Sequence, residues 1–399
     1  MRYILLVFSV LYINLAFSQP LDRVKPEQVG LDSEKLLYAD VLIKEAILDE
    51  VIPGAVLAIV KDGKMAYLKA FGNKSIYPKK VPMDTNTIFD LASCSKSVGT
   101  AMCMAHLLER GGFRLNDKVN KYIPDFQPYI SEKGEKIDIR IIHLLTHSSG
   151  LPAYVSVKTI KNKYGEKANL KNLIQYISTV KRTFEPTTKM NYSCLNFITL
   201  QYILEEITGE KLEDYAQKNI FNVLGMQNTM YNPSKYPDKL KHIAPTEKQP
   251  DGNVLLGKTH DPLAREINKG NSGNAGVFST AEDLAILATA LMNGGEYNGR
   301  RVLGKLTVAA MTRIPMGYED LGRSLGWDNY SSYSSNKGDI FNPTKTFGHT
   351  GYTGTSIVID PEAKVAVILL TNRVHPTDKG SVTDLRALVS NIVAGSIFK

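Results

Sequence analysis

Ser93-Cys94-Ser95-Lys96 follows the apolar run Ile88, Phe89, Leu91, Ala92 and opens a helix-like stretch from Val98 to Arg110. A spacing of three places Ser93 and Lys96 on one helix face. Ser93 then falls in the first turn, where unpaired N–H groups and the positive end of the helix dipole favour a developing oxyanion. Lys96 stands one turn on, its amine within reach of the hydroxyl. Serine is a weak nucleophile until a neighbour takes its proton, and a desolvated lysine can do so. Taken alone the pair fits a solvated helix face equally well, because Ser-x-x-Lys recurs by chance.

The segments on either side of this stretch set the fold class. Upstream, Leu36, Leu37, Val41, Ile43, Ile47 and Leu48 recur at helical spacing behind a cap at Asp32 or Ser33. Pro53-Gly54 ends that helix. Ala55 to Val60 and Met65 to Phe71 read as a hairpin around the Asp62-Gly63 turn. Downstream, Leu170 to Val180, Asn196 to Thr208, Lys211 to Val223 and Thr280 to Asn293 read as helices. Thr346 to His349, Thr355 to Ile359 and Val365 to Leu370 read as strands, and Ser381 to Ile397 as a last helix. Strands at both ends with helices between them predict an α/β fold of the α+β type. One antiparallel sheet is built from the N- and C-terminal segments (about 24–90 and 265–399). It is flanked by helices and carries an inserted, mostly helical subdomain (about 91–264).

Bulk composition narrows the function. The 399 residues are 43% hydrophobic and 22% charged, which is ordinary for a globular chain with a large core. The formal charge is +8, but the lysines and arginines are scattered and no nucleic-acid motif is present, so no nucleic-acid partner is expected. Arg2 precedes an apolar stretch, Tyr3 to Phe17, and Ala16 and Ser18 supply the small residues that a signal peptidase reads. Residues 1–18 are therefore expected to be a cleaved signal peptide, and residues 19–399 a single periplasmic or secreted catalytic unit. An uncleaved anchor is the competing reading, although the run is short for a membrane span. The cysteines, Cys94, Cys103 and Cys194, make neither a disulfide framework nor a metal-ligand spacing. A Cys94–Cys194 bond is conceivable because both residues flank the presumed site. His143 and His147 lack an intervening Glu and a third ligand, so neither metal nor cofactor is expected. His147 is expected to cap or bond the Thr146–Gly150 turn.

Two further stretches complete a set. Tyr192-Ser193-Cys194 precedes a helix, and His349-Thr350-Gly351 ends a strand whose edge can offer a backbone N–H to an oxyanion. Ser-x-x-Lys, Tyr-x-x and His-Thr-Gly, in this order and separation, resemble the class C β-lactamase and penicillin-binding serine hydrolase family. Leu144 to Leu151, Ala275 to Leu284 and Gly348 to Thr355 are similar to it as well. The resemblance implies a β-lactamase/transpeptidase-like fold and a set of roles. Ser93 matches the nucleophile of an acyl-enzyme, Lys96 the general base or its electrostatic partner, and Tyr192 the proton relay. The backbone N–H groups of Ser93 and Tyr352 match the oxyanion hole. His349, Thr350, Gly351 and Cys194 match the substrate-binding positions.

One position departs from the pattern. Cys194 stands where the family carries Asn, and a thiol cannot replace both hydrogen bonds of an amide. Amide substrates are thereby disfavoured relative to esters. The expected function is an exported serine hydrolase acting on cell-wall D-amino-acid peptides or carboxylic esters. A β-lactamase and a non-turnover penicillin-binding sensor are the alternatives. The expected partner is a small-molecule or peptidoglycan-peptide substrate, and the sequence leaves the oligomeric state open.

Overall fold

The computed structural model describes residues 19–399, so the expected signal peptide lies outside the described residues. Gly54–Lys61 (β1) and Lys64–Ser75 (β2) form the expected hairpin. Asp62 and Gly63 both have positive φ (51° and 74°), which gives a turn whose twist matches that of the strands. A short edge strand, Val81–Pro82 (β3), follows, and the other three come from the far end of the chain: Phe347–Thr350 (β4), Ser356–Asp360 (β5) and Val365–Thr371 (β6). The sheet order is β4-β5-β6-β1-β2-β3. β1 lies antiparallel beside β6, from Ala55 opposite Thr371 to Lys61 opposite Val365, so the two ends of the chain meet in the middle of the sheet.

Every residue of β1 and of β6 is buried. Both faces of the sheet are covered, which is why these strands read as apolar runs and not as an alternating pattern. On one face Ala55, Leu57, Ile59, Val367 and Leu369 pack under the terminal helices Ser33–Leu48 (α1) and Thr383–Ser396. On the other, Val56, Ala58, Ile368 and Leu370 join the core of the helical part, and the helix Ala281–Met292 packs across β1 and β6. The cap at Asp32 behaves as read, its carboxylate accepting the N–H groups of Glu34 and Lys35; the Thr280 hydroxyl likewise caps Ala281–Met292 by accepting the Asp283 N–H.

The stretch after Ser93 is less regular than its sequence suggests. Lys96–Ala101 forms a wide π-helical turn, and only Met102–Glu109 (α2) is α-helical. Side chains of the wide turn bond outward to other segments. Ser97 Oγ donates to the Gly326 carbonyl (2.6 Å) and Thr100 Oγ1 to the Gly273 carbonyl (2.8 Å). Such turns recur at functional sites, where the backbone is bent to aim a side chain. The helix after Tyr192 spans Cys194–Thr208 (α3) and stops at left-handed Gly209.

Gly99 is the tightest point of the wide turn. A Cβ there would lie 2.4 Å from the buried Tyr231 hydroxyl and 3.0 Å from Val277 Cγ2. Gly99→Ala is expected to destabilise the fold by about 1–3 kcal/mol through this overlap, measured as a shift of the urea midpoint at unchanged m-value.

Candidate active site

A strained elbow sets the position of Ser93. Asp90 is buried; its Oδ1 accepts the Ala92 N–H (2.9 Å) and its Oδ2 the His260 N–H (2.7 Å). Burial pushes the Asp90 carboxyl up, with the two N–H donors opposing. Ala92 sits at φ 45°, a left-handed conformation that costs a residue with a Cβ about 1–2 kcal/mol. The bend leaves Ser93 just before the helical turns begin at Cys94.

Lys96 is fully buried, with its amine 3.0 Å from Ser93 Oγ, 2.9 Å from the Asn274 carbonyl and 3.5 Å from Cys194 Sγ. The amine also lies 5.0 Å from the centre of the Tyr192 ring. Burial pushes this amine down, but the negative charge that Cys194 and Tyr192 can carry outweighs it and holds the lysine above its usual range. The Tyr192 hydroxyl is buried and makes no hydrogen bond of good geometry among the described residues. Burial raises its pKa, while Ser93 and Lys96 are close enough to oppose the rise.

The Tyr192 ring is held from behind by His147, centroid to centroid 4.5 Å. His147 does more than bond its own turn. It is the left-handed residue of that turn (φ 57°), and its Nδ1 accepts the Ser193 N–H (3.1 Å) and faces Asn196 Nδ2 (3.2 Å). Asn196 in turn accepts from Ser149 Oγ (2.5 Å), so it faces away from Lys96 and does not replace the missing amide. The Lys96 amine donates instead to the Asn274 backbone carbonyl and, weakly, to Cys194 Sγ itself. The Asn274 amide nitrogen is buried and makes no hydrogen bond of good geometry among the described residues, but it lies near enough to Cys194 to oppose the upward push of burial on that thiol. All three cysteines are free; Cys94 instead donates to the His349 carbonyl (3.5 Å), so no Cys94–Cys194 bond is present.

His349, Thr350 and Gly351 bring the end of β4 beside Ser93. The turn after them is stitched to the elbow: Thr353 Oγ1 donates to the Asp90 carbonyl (2.7 Å) and Thr355 Oγ1 to the Leu91 carbonyl (3.0 Å). Gly351 permits this approach, because a Cβ would lie 2.3 Å from the Leu91 carbonyl oxygen. Neither the Ser93 N–H nor the Tyr352 N–H is bonded to an acceptor among the described residues. His349 Nδ1 lies 2.8 Å from the Thr350 carbonyl, which places the proton on Nδ1 and leaves Nε2 bare and buried.

Ser93, Tyr192, His349 and Gly351 open on one cleft of about 560 Å³. Arg323 and Asp328 also line it, and the sequence reading did not single out either. No local pattern reveals them, since they meet across a loop and only β4 gives that loop its place. Neighbouring Trp327 proves to be core, edge-on to Phe347 at 5.2 Å, and Tyr330 is partly exposed. Among the described residues no cluster of His, Cys, Asp or Glu could hold a metal, and no helix is long and apolar enough to cross a membrane.

The family model described as Beta-lactamase matches residues 39–391. The chain belongs to this family of serine hydrolases. A Salmonella agona protein named putative D-alanyl-D-alanine carboxypeptidase is 32% identical, over 99% of this chain and 95% of that one. Its Salmonella typhi counterpart of the same name is 31% identical over the same shares. Among solved structures, EstCE1, described as a hydrolase with promiscuous acyltransferase activity, superposes with a TM-score of 0.72 at 22% identity, covering 91% of this chain and 99% of that one. A class C β-lactamase from Rhodobacter sphaeroides gives 0.67 at 22% identity, with 89% and 98% covered. These two likenesses are of fold. The mixed fold with an antiparallel sheet and flanking helices agrees with the architecture expected from the sequence.

Burial, and then the charges of Arg323 and Lys96, push both His147 and His349 well below the usual histidine range. Both rings are therefore neutral at and above neutral pH. Nitrogen NMR of labelled imidazoles is expected to show no titration of either ring between about pH 6 and 8; an inflection near 6.5 abolished by His349→Asn would contradict this.

Proposed function

We propose that the chain is an exported serine hydrolase that works through a Ser93 acyl-enzyme and releases the terminal residue from D-amino-acid peptides of the cell wall. The observation that carries this reading is the fully buried Lys96 amine 3.0 Å from Ser93 Oγ, at the mouth of an open cleft. Ser93 Oγ attacks the scissile carbonyl carbon and its proton passes to the Lys96–Tyr192 pair. The N–H groups of Ser93 and Tyr352 face the oxyanion. The intermediate collapses as Tyr192 protonates the leaving nitrogen, and water releases the acyl group by the same route in reverse. The name borne by the Salmonella relatives supports the peptide substrate. The apolar N-terminal segment supports a periplasmic or secreted address.

Carboxylic esters are a second reading, favoured by one observation. Cys194 occupies the position of the family's amide side chain, and its thiol keeps only a weak bond to Lys96 (3.5 Å) and offers a substrate amide little in place of the Asn. An ester carbonyl needs less help than an amide, because its leaving group departs more readily.

Intact-mass spectrometry with a p-nitrophenyl ester and a fluorescent penicillin tests the acyl-enzyme. The wild-type chain is expected to gain the acyl mass and turn the ester over. Ser93→Ala is expected to gain none and to lose on the order of 10⁴-fold or more in kcat. Full activity in Ser93→Ala would overturn the assignment. Stable penicillin labelling without turnover would point to the sensor, and rapid penicillin release to a β-lactamase.

Two further outcomes follow from the site. Because Lys96 and Tyr192 both lie above their usual ranges, the base form is scarce at neutral pH. The kcat/KM is expected to rise with pH from neutrality into the alkaline range, nearly tenfold per unit, with no acid limb from His349. Cys194→Asn is expected to raise peptide turnover relative to ester turnover by roughly tenfold, the worth of one or two hydrogen bonds in the transition state. An unchanged ratio would remove Cys194 as a determinant of acyl chemistry.

A further inference from the structure

The Tyr192 hydroxyl is buried, so the charges that face its ring decide how readily it gives up a proton. From the wide turn, Ser93 and Lys96 face it, and the Lys96 amine lies 5.0 Å from the ring centre. From α3, Cys194 faces it, and negative charge on that sulfur opposes a phenolate. The negative charge of Asp261 reaches Lys96 and Cys194 in turn. The His147 ring lies at 4.5 Å and the His349 ring at 5.9 Å, and both are neutral at and above neutral pH. The exposed Tyr333 ring lies 5.5 Å away. The loop that precedes β4 adds a second cation. Arg323 is 2% exposed, and its guanidinium carbon lies over the Tyr192 ring, 5.2 Å from the centre.

This second cation is fixed in place. Asp328 is paired with Gly348 through both backbone bonds (3.0 and 2.9 Å), which ties the loop to β4 one residue before His349. The Gly326 carbonyl accepts from Ser97 Oγ, and Trp327 is fully buried. Arg323 is held to Asp328 by one bond, Nη2 to Oδ2 at 3.3 Å; its Nε and Nη1 make no hydrogen bond of good geometry among the described residues. One long bond to a carboxylate leaves part of the guanidinium charge to act on other neighbours. Arg323 is the first of the charges that push down His147 and His349, whose rings both lie against Tyr192. Lys337 is also buried near this pair, and burial lowers its amine to about 8, with Asp328 opposing and Arg323 adding. That amine has lost most of its charge before a tyrosine raised above its usual range titrates, whereas a guanidinium keeps its charge.

We propose that Arg323 is a positioning residue of the acyl-transfer site, which acts through Tyr192: its fixed guanidinium over the ring favours the phenolate, and Asp328 sets how much of that charge the ring feels. A phenolate spreads its charge into the ring, so a cation over the ring stabilises it without touching the oxygen. Arg323 thereby supplies Tyr192 with a permanent charge that neither neighbouring histidine gives. This inference rests on the reading that Tyr192 relays the proton of a Ser93 acyl-enzyme, and it adds to that relay a residue outside the three motifs.

The test reads the pH dependence of kcat/KM with phenyl acetate. Arg323→Gln is expected to displace the rising limb to higher pH by about one unit, the worth of one desolvated cation over a ring, and Arg323→Lys to recover most of that displacement. Asp328→Asn removes the counter-charge but keeps an acceptor for the Ser331 N–H, and is expected to displace the limb to lower pH. A purely structural role would lower kcat/KM without moving the limb, or would move it the same way in Arg323→Gln and Asp328→Asn; either result overturns the proposal. Asp328→Asn and Arg323→Lys carry the test if Arg323→Gln fails to fold by circular dichroism. Carbon NMR of ring-labelled tyrosine in Ser93→Ala, with the Tyr192 signal assigned by its loss in Tyr192→Phe, reads the same displacements without turnover. Retained ester turnover by Ser93→Ala would overturn the acyl-enzyme reading alone. The NMR titration then still decides the role of Arg323: opposite displacements in Arg323→Gln and Asp328→Asn support it, and an unmoved Tyr192 overturns it.

Discussion

The hydrogen bonds between the Asp90–Ala92 elbow and the turn after β4 hold the site together. Thr353 and Thr355 donate their hydroxyls to the Asp90 and Leu91 carbonyls, and Cys94 reaches the His349 carbonyl. These contacts join residues more than 250 positions apart in the chain. They bring a free N–H at Tyr352 beside a free N–H at Ser93. They also justify the strain at Ala92, because a relaxed elbow would lose its match to the strand end. Gly351 is required for the same reason: a Cβ there would push the two segments apart.

Electrostatics follow from burial in this frame. Lys96, Tyr192 and Cys194 lie in contact with little solvent, so each sets the proton affinity of the others. The lysine rises despite its burial, since its neighbours can carry negative charge. His147 and His349 are pushed down by burial first and by nearby cations second. Both histidines of the site are therefore neutral at and above neutral pH. One histidine serves as a packing and hydrogen-bonding support behind the tyrosine ring, and the other as a neutral wall of the cleft.

Much of the fold was legible because its signals are local. The Asp62-Gly63 turn, the Thr280 cap and the Gly209 stop each act within a few residues, and each does in the structure what its chemistry suggests. The wide turn at Lys96–Ala101 was not legible. Its sequence is compatible with an α-helix, and it opens because Ser97, Thr100 and Gly99 meet partners near positions 326, 273 and 231. Of the polar groups around Ser93, those in ordered motifs could be found from spacing. Arg323, Lys337 and Asn274 belong to no motif, and their neighbours come from other parts of the chain. His147 was read as a turn residue, which accounts for its backbone but not for its bond to Ser193.

The sequence by itself determined the β1–β2 hairpin, the C-terminal strands and the long helices in their order, and it placed Ser93 and Lys96 three residues apart, because these depend on turn chemistry, capping and periodicity within one segment. Tertiary structure alone decided that β1 lies between β2 and β6, that the Asn274 backbone carbonyl meets the Lys96 amine, and that Arg323 and Asp328 pair at the wall of the cleft. Those outcomes depend on which distant surfaces are buried against each other, and burial is a property of the packed chain that no local spacing encodes.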